Sequence, residues 1–248
     1  MSEKERLARQ FILNFPSRPE YSFSNFVVSE GSKIAFNAAC QFCSKTPSPF
    51  DTLYLFGGKN LGKTHLLISI GNQSASIGQK ALYVHCSDFI RKTDENANGS
   101  SGEFISILSN TDLLLLDTVD LITNQTASQE KLYLIFNSLI EKGKKIAFAG
   151  NCNPKKLKKT ERYLTSRFQW GMSAELKSID DKTTARIIIK LAKDIGLIIP
   201  DKVVSYLLAR IPRDFMSIKH AITKVNHESY IQKKKVTISL VKATLNLL

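Results

Sequence analysis

Long apolar runs are missing from this chain of 248 residues, and none approaches the roughly 20 residues needed to cross a bilayer. The first residues, Met1 to Arg6, are charged and lack the apolar stretch of a signal peptide. Cysteine is scarce as well. Cys40, Cys43, Cys86 and Cys152 form no spaced disulfide framework, so a cytosolic chain with reduced thiols is expected and no membrane partner. Cys40 and Cys43 do make a C-x-x-C, but no second pair matches it. They fall in a helical pattern with Ile34, Phe36, Ala38 and Ala39, which favours small helix residues over a zinc site. Acidic residues are the minority charge, 22 against 35 Lys and Arg, for a net charge of +13. That excess suits work near a phosphate backbone, or lysine-rich solvated faces. It gathers at Lys155, Lys156, Lys158, Lys159 and Arg162, and again at Lys233, Lys234 and Lys235. No recognition-helix or zinc-finger pattern accompanies either cluster, so contact with DNA is expected to be indirect or non-specific.

What is present reads as strands alternating with helices. Strands are expected at Leu53–Phe56, Ala81–His85, Leu113–Asp117, Ile146–Gly150 and, more weakly, Ser173–Leu176. The third and fourth are near-continuous apolar runs, as in a parallel sheet covered on both faces. The polar, turn-rich stretch from Thr93 to Gly102 reads as a surface loop. Beyond Asp180 the strand signals stop. One helix carries Ala185, Ile188, Ile189, Leu191 and Ala192 and ends at Gly196. A second opens at Pro200, a third follows Pro212-Arg213-Asp214, and a fourth lies in Ser239–Leu248 behind a short extension, Val236–Ile238. The expected fold is α/β: a phosphate-loop core on a five-stranded parallel sheet, then a small all-helical lid.

Two segments carry phosphate chemistry. Gly57, Gly58, Lys59, Asn60, Leu61, Gly62, Lys63 and Thr64 complete the pattern G-x4-G-K-[ST], between a strand-like run and the helix-like stretch from His65. A strand, glycine loop and helix aim backbone N–H groups and a helix N-terminus at phosphate oxygens. Lys63 would reach the β- and γ-phosphates of ADP or ATP, and Thr64 would ligate Mg²⁺. A glycine-rich turn kept for packing alone is the plainer reading, and the flanks argue against it. Asn60 suits a left-handed loop position. The second segment is Leu113 to Asp117, an apolar strand ending in an acid that would support the same Mg²⁺. The next residue is Thr118, where efficient ATPases of this kind carry a second acid. Threonine is no general base near neutral pH, so tight nucleotide binding with weak hydrolysis is expected. Asp120 stands three residues on, within reach only if the chain turns back.

These motifs, with the run Tyr21 to Val28, the stretch Ala147 to Leu157 and Leu164–Met172, resemble in order the AAA+ module of the DnaA/Hda family of bacterial replication proteins. The similarity covers about residues 21–225. The tail Lys234 to Lys242 looks like the end of the family's short, Hda-type members, which often lack the second acid too. The resemblance implies domains at 1–20 (peptide and linker), 21–178 (nucleotide-binding core) and 179–248 (lid). Asn151 takes the place of the sensor 1 polar residue, joining Gly57, Gly58, Asn60, Leu61, Gly62, Lys63, Thr64, His65 and Asp117 in the nucleotide site. Arg167 matches the arginine finger that one subunit inserts into a neighbour's site; without the family it reads as a surface arginine or half of an intrachain salt bridge. The sensor 2 arginine falls on Met216, and Arg213, one turn earlier, is a weak substitute.

Gln10, Leu13 and Phe15 fit the Q-x-x-L-x-F form of peptides that bind the sliding clamp of DNA polymerase III, which Hda-type members carry near their N-terminus. An apolar strand folded onto its own core explains the same residues almost as well. The implied function is negative regulation of chromosomal replication initiation: a nucleotide-bound, clamp-associated bacterial cytoplasmic protein that stimulates hydrolysis of ATP held by DnaA. A self-sufficient AAA+ ATPase, acting as a helicase loader or a DnaA-like remodelling factor, is the alternative. Whether the chain forms a homodimer stays open.

Overall fold

The computed structural model describes residues 13–15, 17–18, 20–44, 48–93 and 101–246, which form two compact units. The first holds residues 1–26, 32–58 and 62–176; the second holds 27–31, 59–61 and 177–248. The described residues of the N-terminal segment, 13–15, 17–18 and 20, fall within the first unit, and the last stretch of the second starts at Lys177.

Five parallel strands build the first unit: β2 (Thr52–Gly57), β3 (Ala81–His85), β4 (Leu113–Asp117), β5 (Lys145–Gly150) and β6 (Met172–Leu176). All five expected strands are present, β3 and β4 with the expected bounds, β5 and β6 one residue longer and β2 two residues longer. A sixth, β1 (Leu13–Asn14), pairs antiparallel with β3, giving the order β1-β3-β4-β5-β2-β6. Every residue of β4 is buried, which explains its uninterrupted leucines: a central strand has no solvent face. The chain passes from β2 across two sheet positions to β3, works back through β4 and β5, and ends at β6 beyond β2. Phosphate-binding crevices form at the carboxyl ends of such strands, and β4, β5 and β2 end side by side at Asp117, Gly150 and Gly57.

Connecting helices cover the sheet: α1 (Lys33–Phe42), α2 (Lys63–Ser76), α3 (Cys86–Thr93), α4 (Ser101–Ser109), α5 (Thr126–Glu141) and α6 (Arg162–Phe168). Helix α4 begins inside the stretch expected to be loop, because Phe104 and Leu108 lie one turn apart and are both fully buried. Tyr54, Phe148 and Phe168 knit the core, with the Phe148 and Phe168 rings edge to face at 4.8 Å. Cys40 and Cys43 lie at the end of α1 as free thiols, and burial pushes the Cys43 thiol up to about 12. A thiol held protonated is a poor metal ligand.

The second unit is helical: α7 (Asp181–Asp194), α8 (Asp201–Leu208), α9 (Phe215–Gln232) and α10 (Ile238–Leu245). Ile188, Leu207, Ile218, Val225 and Val241 form its core. Each boundary has a local cause. Asp180 caps α7 through the Thr183 N–H, and Asp214 caps α9 through those of Met216 and Ser217. Thr237 caps α10, so the expected extension at Val236–Ile238 is the cap and first turn of a helix.

Candidate nucleotide site

The phosphate loop leaves β2 at Gly57 and enters α2 through Gly62. At φ 97°, and with Phe26 Cε2 only 2.7 Å from where a Cβ would stand, Gly62 accepts no side chain. Asn60 adopts φ 60°, the left-handed geometry expected of it. Within the second unit its carbonyl accepts from the Phe215 N–H at 3.3 Å.

Lys63 is only 8% exposed, and its ammonium donates to the carbonyls of Gly57 (2.8 Å) and Gly58 (2.6 Å). Burial lowers its pKa, while the charges of Asp117 and Asp120 pull the other way. Among the described residues this buried cation at the head of a helix is hydrogen-bonded by loop carbonyls alone, an arrangement suited to exchanging them for phosphate oxygens. Beside it the Thr64 hydroxyl donates to Asp117 Oδ2 at 2.6 Å. Asp117 is 3% exposed; its Oδ1 accepts from the Thr118 N–H at 2.7 Å and its Oδ2 also from the Tyr83 hydroxyl at 2.9 Å. A hard oxygen pair on adjacent elements fits Mg²⁺ held mainly through water and phosphate. The residues therefore suit a Mg²⁺ nucleotide: Lys63 and the loop amides for phosphate, Thr64 and Asp117 for the ion.

Thr118 is strained as well as non-acidic. It sits at φ 56°, unusual for a β-branched residue, and its N–H is turned onto the Asp117 carboxylate. The chain then makes a 3-10 turn, Val119–Ile122, that does bring Asp120 back. Both its carboxylate oxygens accept from the Asn151 N–H, at 2.8 and 2.6 Å. Asp120 thus anchors the end of β5, leaving the Asn151 side chain exposed. The His65 ring lies within 3 Å of the Ser22 carbonyl, at 2.9 Å, and stands edge-on to Tyr21 and Phe26. It ties the Tyr21–Phe26 segment to α2.

Arg167, on α6, lies away from these groups in the sequence and is held by its own surroundings. Its guanidinium carbon stands 4.9 Å from the Trp170 ring centroid and 5.4 Å from that of Tyr133, while Nε donates to Asn137 Oδ1 at 3.3 Å. Among the described residues it has no carboxylate partner. Met216 is exposed on α9, and Arg213 pairs with Asp181 of the same unit. Sequence reasoning overlooked Tyr83, Tyr133, Asn137 and Trp170. Tyr83 was detectable: in the β3–β4 register His85 faces Asp117, and Tyr83 shares its face of the sheet.

Of the clamp-type peptide, Gln10 and the Leu13 side chain lie outside the described residues. Phe15 is half-buried, its ring seated over Gly71 of α2, where a Cβ would come within 2.2 Å of Cζ. Asn72 grips the same segment twice, accepting from the Ser17 N–H (2.8 Å) and donating to the Tyr21 carbonyl (2.9 Å).

Residues 17–175 match the bacterial DnaA ATPase domain, and residues 180–245 match the lid domain of Hda. The chain belongs to the DnaA/Hda family. It is 30% identical over 240 residues to the chromosomal replication initiator protein DnaA of Buchnera aphidicola subsp. Cinara cedri, covering 96% of this chain and 55% of the relative. The initiator of a Thermoanaerobacter species is 32% identical over 250 residues, 98% of this chain and 55% of the relative. The chain thus spans about half the length of the curated relatives it matches. Domain III of the Thermotoga maritima initiator superposes with TM-score 0.87 at 30% identity, over 93% of this chain and 98% of that one. AMPPCP-bound DnaA from Aquifex aeolicus gives TM-score 0.79 at 29% identity, over 86% of this chain and 67% of that one. The Thermotoga maritima RuvB branch migration motor, at 18% identity and TM-score 0.71, shares the fold alone. Among the described residues no helix is long and apolar enough to cross a membrane.

Proposed function

We propose that this DnaA/Hda-family chain binds ADP or ATP with Mg²⁺ and regulates replication initiation by stimulating hydrolysis of ATP held by DnaA. One asymmetry supports the reading. The groups that hold nucleotide are complete (Lys63, Thr64, Asp117), whereas those that would turn it over within one chain are depleted: Thr118 replaces an acid, Asp120 is occupied by Asn151, and Met216 replaces a sensor arginine. Arg167, by contrast, is kept oriented over Trp170 with no carboxylate partner among the described residues. A guanidinium without a carboxylate partner is free to meet the charge that develops on a transferred phosphoryl group in a neighbouring subunit, an effect worth about 10³–10⁵ in rate. In this scheme DnaA supplies ATP and the water-orienting acid, and this chain supplies the positive charge. The peptide from Gln10 to Phe15 would tether it to the sliding clamp.

The test is reconstitution of DnaA–ATP, clamp and DNA with the wild-type chain or Arg167→Ala. Loss of stimulation in the variant, with its own nucleotide binding intact, is expected; undiminished stimulation would refute the trans mechanism. The complete phosphate loop also fits a self-sufficient loader or remodelling ATPase. Multiple turnover by the purified chain alone, abolished by Lys63→Ala, would decide for that reading.

A further inference from the structure

The carboxylate of Asp117 has a donor that no phosphate-loop motif supplies. Tyr83 stands on β3, the strand beside β4, and in the parallel register its backbone pairs with Leu115 while His85 pairs with Asp117. Side chains alternate along a strand, so Tyr83, His85 and Asp117 share one face, and the tyrosine leans toward the carboxyl end of the sheet. Its hydroxyl meets Asp117 Oδ2 at 2.9 Å, the oxygen that also accepts from Thr64 at 2.6 Å. The other oxygen accepts from Thr118 N–H at 2.7 Å.

The consequence is geometric. The terminal torsion of an aspartate is broad and nearly two-fold, so a carboxylate held at one end alone can rotate between its two orientations. Here each oxygen has a separate anchor on rigid backbone: Thr118 N–H for Oδ1, and the Tyr83 ring, carried by a sheet strand, for Oδ2. With the torsion fixed, Oδ2 keeps its lone pair on the Thr64 proton, which aligns the remaining lone pairs of the Thr64 oxygen toward the phosphate loop. We infer that Tyr83 is a positioning residue for the Mg²⁺ side of the nucleotide site, fixing Asp117 and through it Thr64. The inference rests on the nucleotide reading above, and deepens it by placing a residue outside the loop and strand motifs in control of the metal dependence.

Outer-shell partners of metal-binding groups typically change metal affinity by 10–100-fold when removed. Tyr83→Phe keeps the ring, its packing and the backbone pairing of β3, and deletes only the hydroxyl. The experiment titrates a fluorescent ADP analogue into wild type, Tyr83→Phe and Thr64→Ala, first in EDTA and then across a Mg²⁺ series. In EDTA, Tyr83→Phe should bind the analogue as wild type does. Across the series its Mg²⁺ midpoint should rise about tenfold, part of the way to Thr64→Ala, where the Mg²⁺ enhancement disappears. A Tyr83→Phe midpoint equal to wild type overturns the assignment. So does an equal loss of affinity with and without Mg²⁺, which marks a merely structural tyrosine. Wild type that binds no analogue at all, or binds it with no Mg²⁺ enhancement, fails the underlying nucleotide or metal reading, and this assignment falls with it.

Discussion

Replacing Gly71 with alanine separates the two readings of the N-terminal peptide, because it acts on the seat of Phe15 without touching the peptide. A Cβ at Gly71 would lie 2.2, 2.4 and 2.6 Å from Phe15 Cζ, Cε2 and Cε1, closer than any carbon tolerates. The helix is packed into the core and the ring belongs to a short leader, so the ring gives way. Two effects of opposite sign follow. Alanine is favoured over glycine inside a helix by about 0.8–1 kcal/mol. Losing the contact of a half-buried phenylalanine costs about 1–1.5 kcal/mol, half the value for full burial. Gly71→Ala should therefore unfold in urea within about 0.7 kcal/mol of wild type, while Phe15→Ala alone loses about 1–1.5 kcal/mol. The double variant should be more stable than Phe15→Ala by the helix gain of about 0.8–1 kcal/mol, so the changes are strongly non-additive. If a clamp also reads Phe15, undocking precedes binding, and Gly71→Ala removes that penalty. Clamp affinity should then rise about 5–12-fold at 1.4 kcal/mol per decade. Strict additivity refutes the seated ring. Weaker clamp binding by Gly71→Ala refutes the competition, and no clamp binding by a free Gln10–Phe15 peptide leaves the leader as a strand of its own sheet.

The remaining expectations are simpler. Lys63→Ala should abolish measurable ADP and ATP binding while circular dichroism and the urea midpoint stay near wild type; retained affinity in a folded protein would sink the phosphate-loop assignment. Arg167→Lys should restore little of the stimulation lost in Arg167→Ala, because a point charge on a flexible stem offers neither the planar fork nor the stacking over Trp170; full rescue would show that charge alone suffices. Asp214→Ala should lower lid stability by about 1–2 kcal/mol through loss of the α9 cap. Burial raises the Asp214 pKa, but its bonds from Ser217, Asn60 and the Met216 N–H outweigh burial and leave it below the ordinary value. A depressed carboxylate stabilises the fold above its unfolded pKa of about 3.9 and loses that contribution as pH falls through the lower folded value. Wild type should thus lose part of its advantage over Asp214→Ala only below about pH 4; an advantage that fell away between pH 5 and 7 would contradict this assignment.

Whatever depends on one segment and its neighbours was legible in the sequence. The leucines of β4 announced a strand buried on both faces, the spacing of Gly57, Gly62, Lys63 and Thr64 announced the loop, and Pro212-Arg213-Asp214 marked the start of a helix. Asn60 in the left-handed region follows from its own side chain. Boundaries slipped where tertiary burial overrode local composition. The start of α4 looked like loop because Ser101 and Gly102 belong to a polar run, and the buried Phe104 and Leu108 draw those residues into the helix.

Groups whose role is set by a partner on another element were not legible, and Asp120 shows why. Counted along an extended strand it points away from the site; the 3-10 turn after the strained Thr118 returns it to the end of β5, where the Asn151 N–H takes both its oxygens. The substitution at Thr118 and the occupation of Asp120 are therefore one structural event. A chain that places its nearest spare carboxylate on a backbone amide has given that carboxylate a positioning task, which is hard to reconcile with activating water in the same site. The Trp170 stack on Arg167 fits the division of labour proposed above: the cation is held oriented, and in that scheme the acid it works with comes from another molecule.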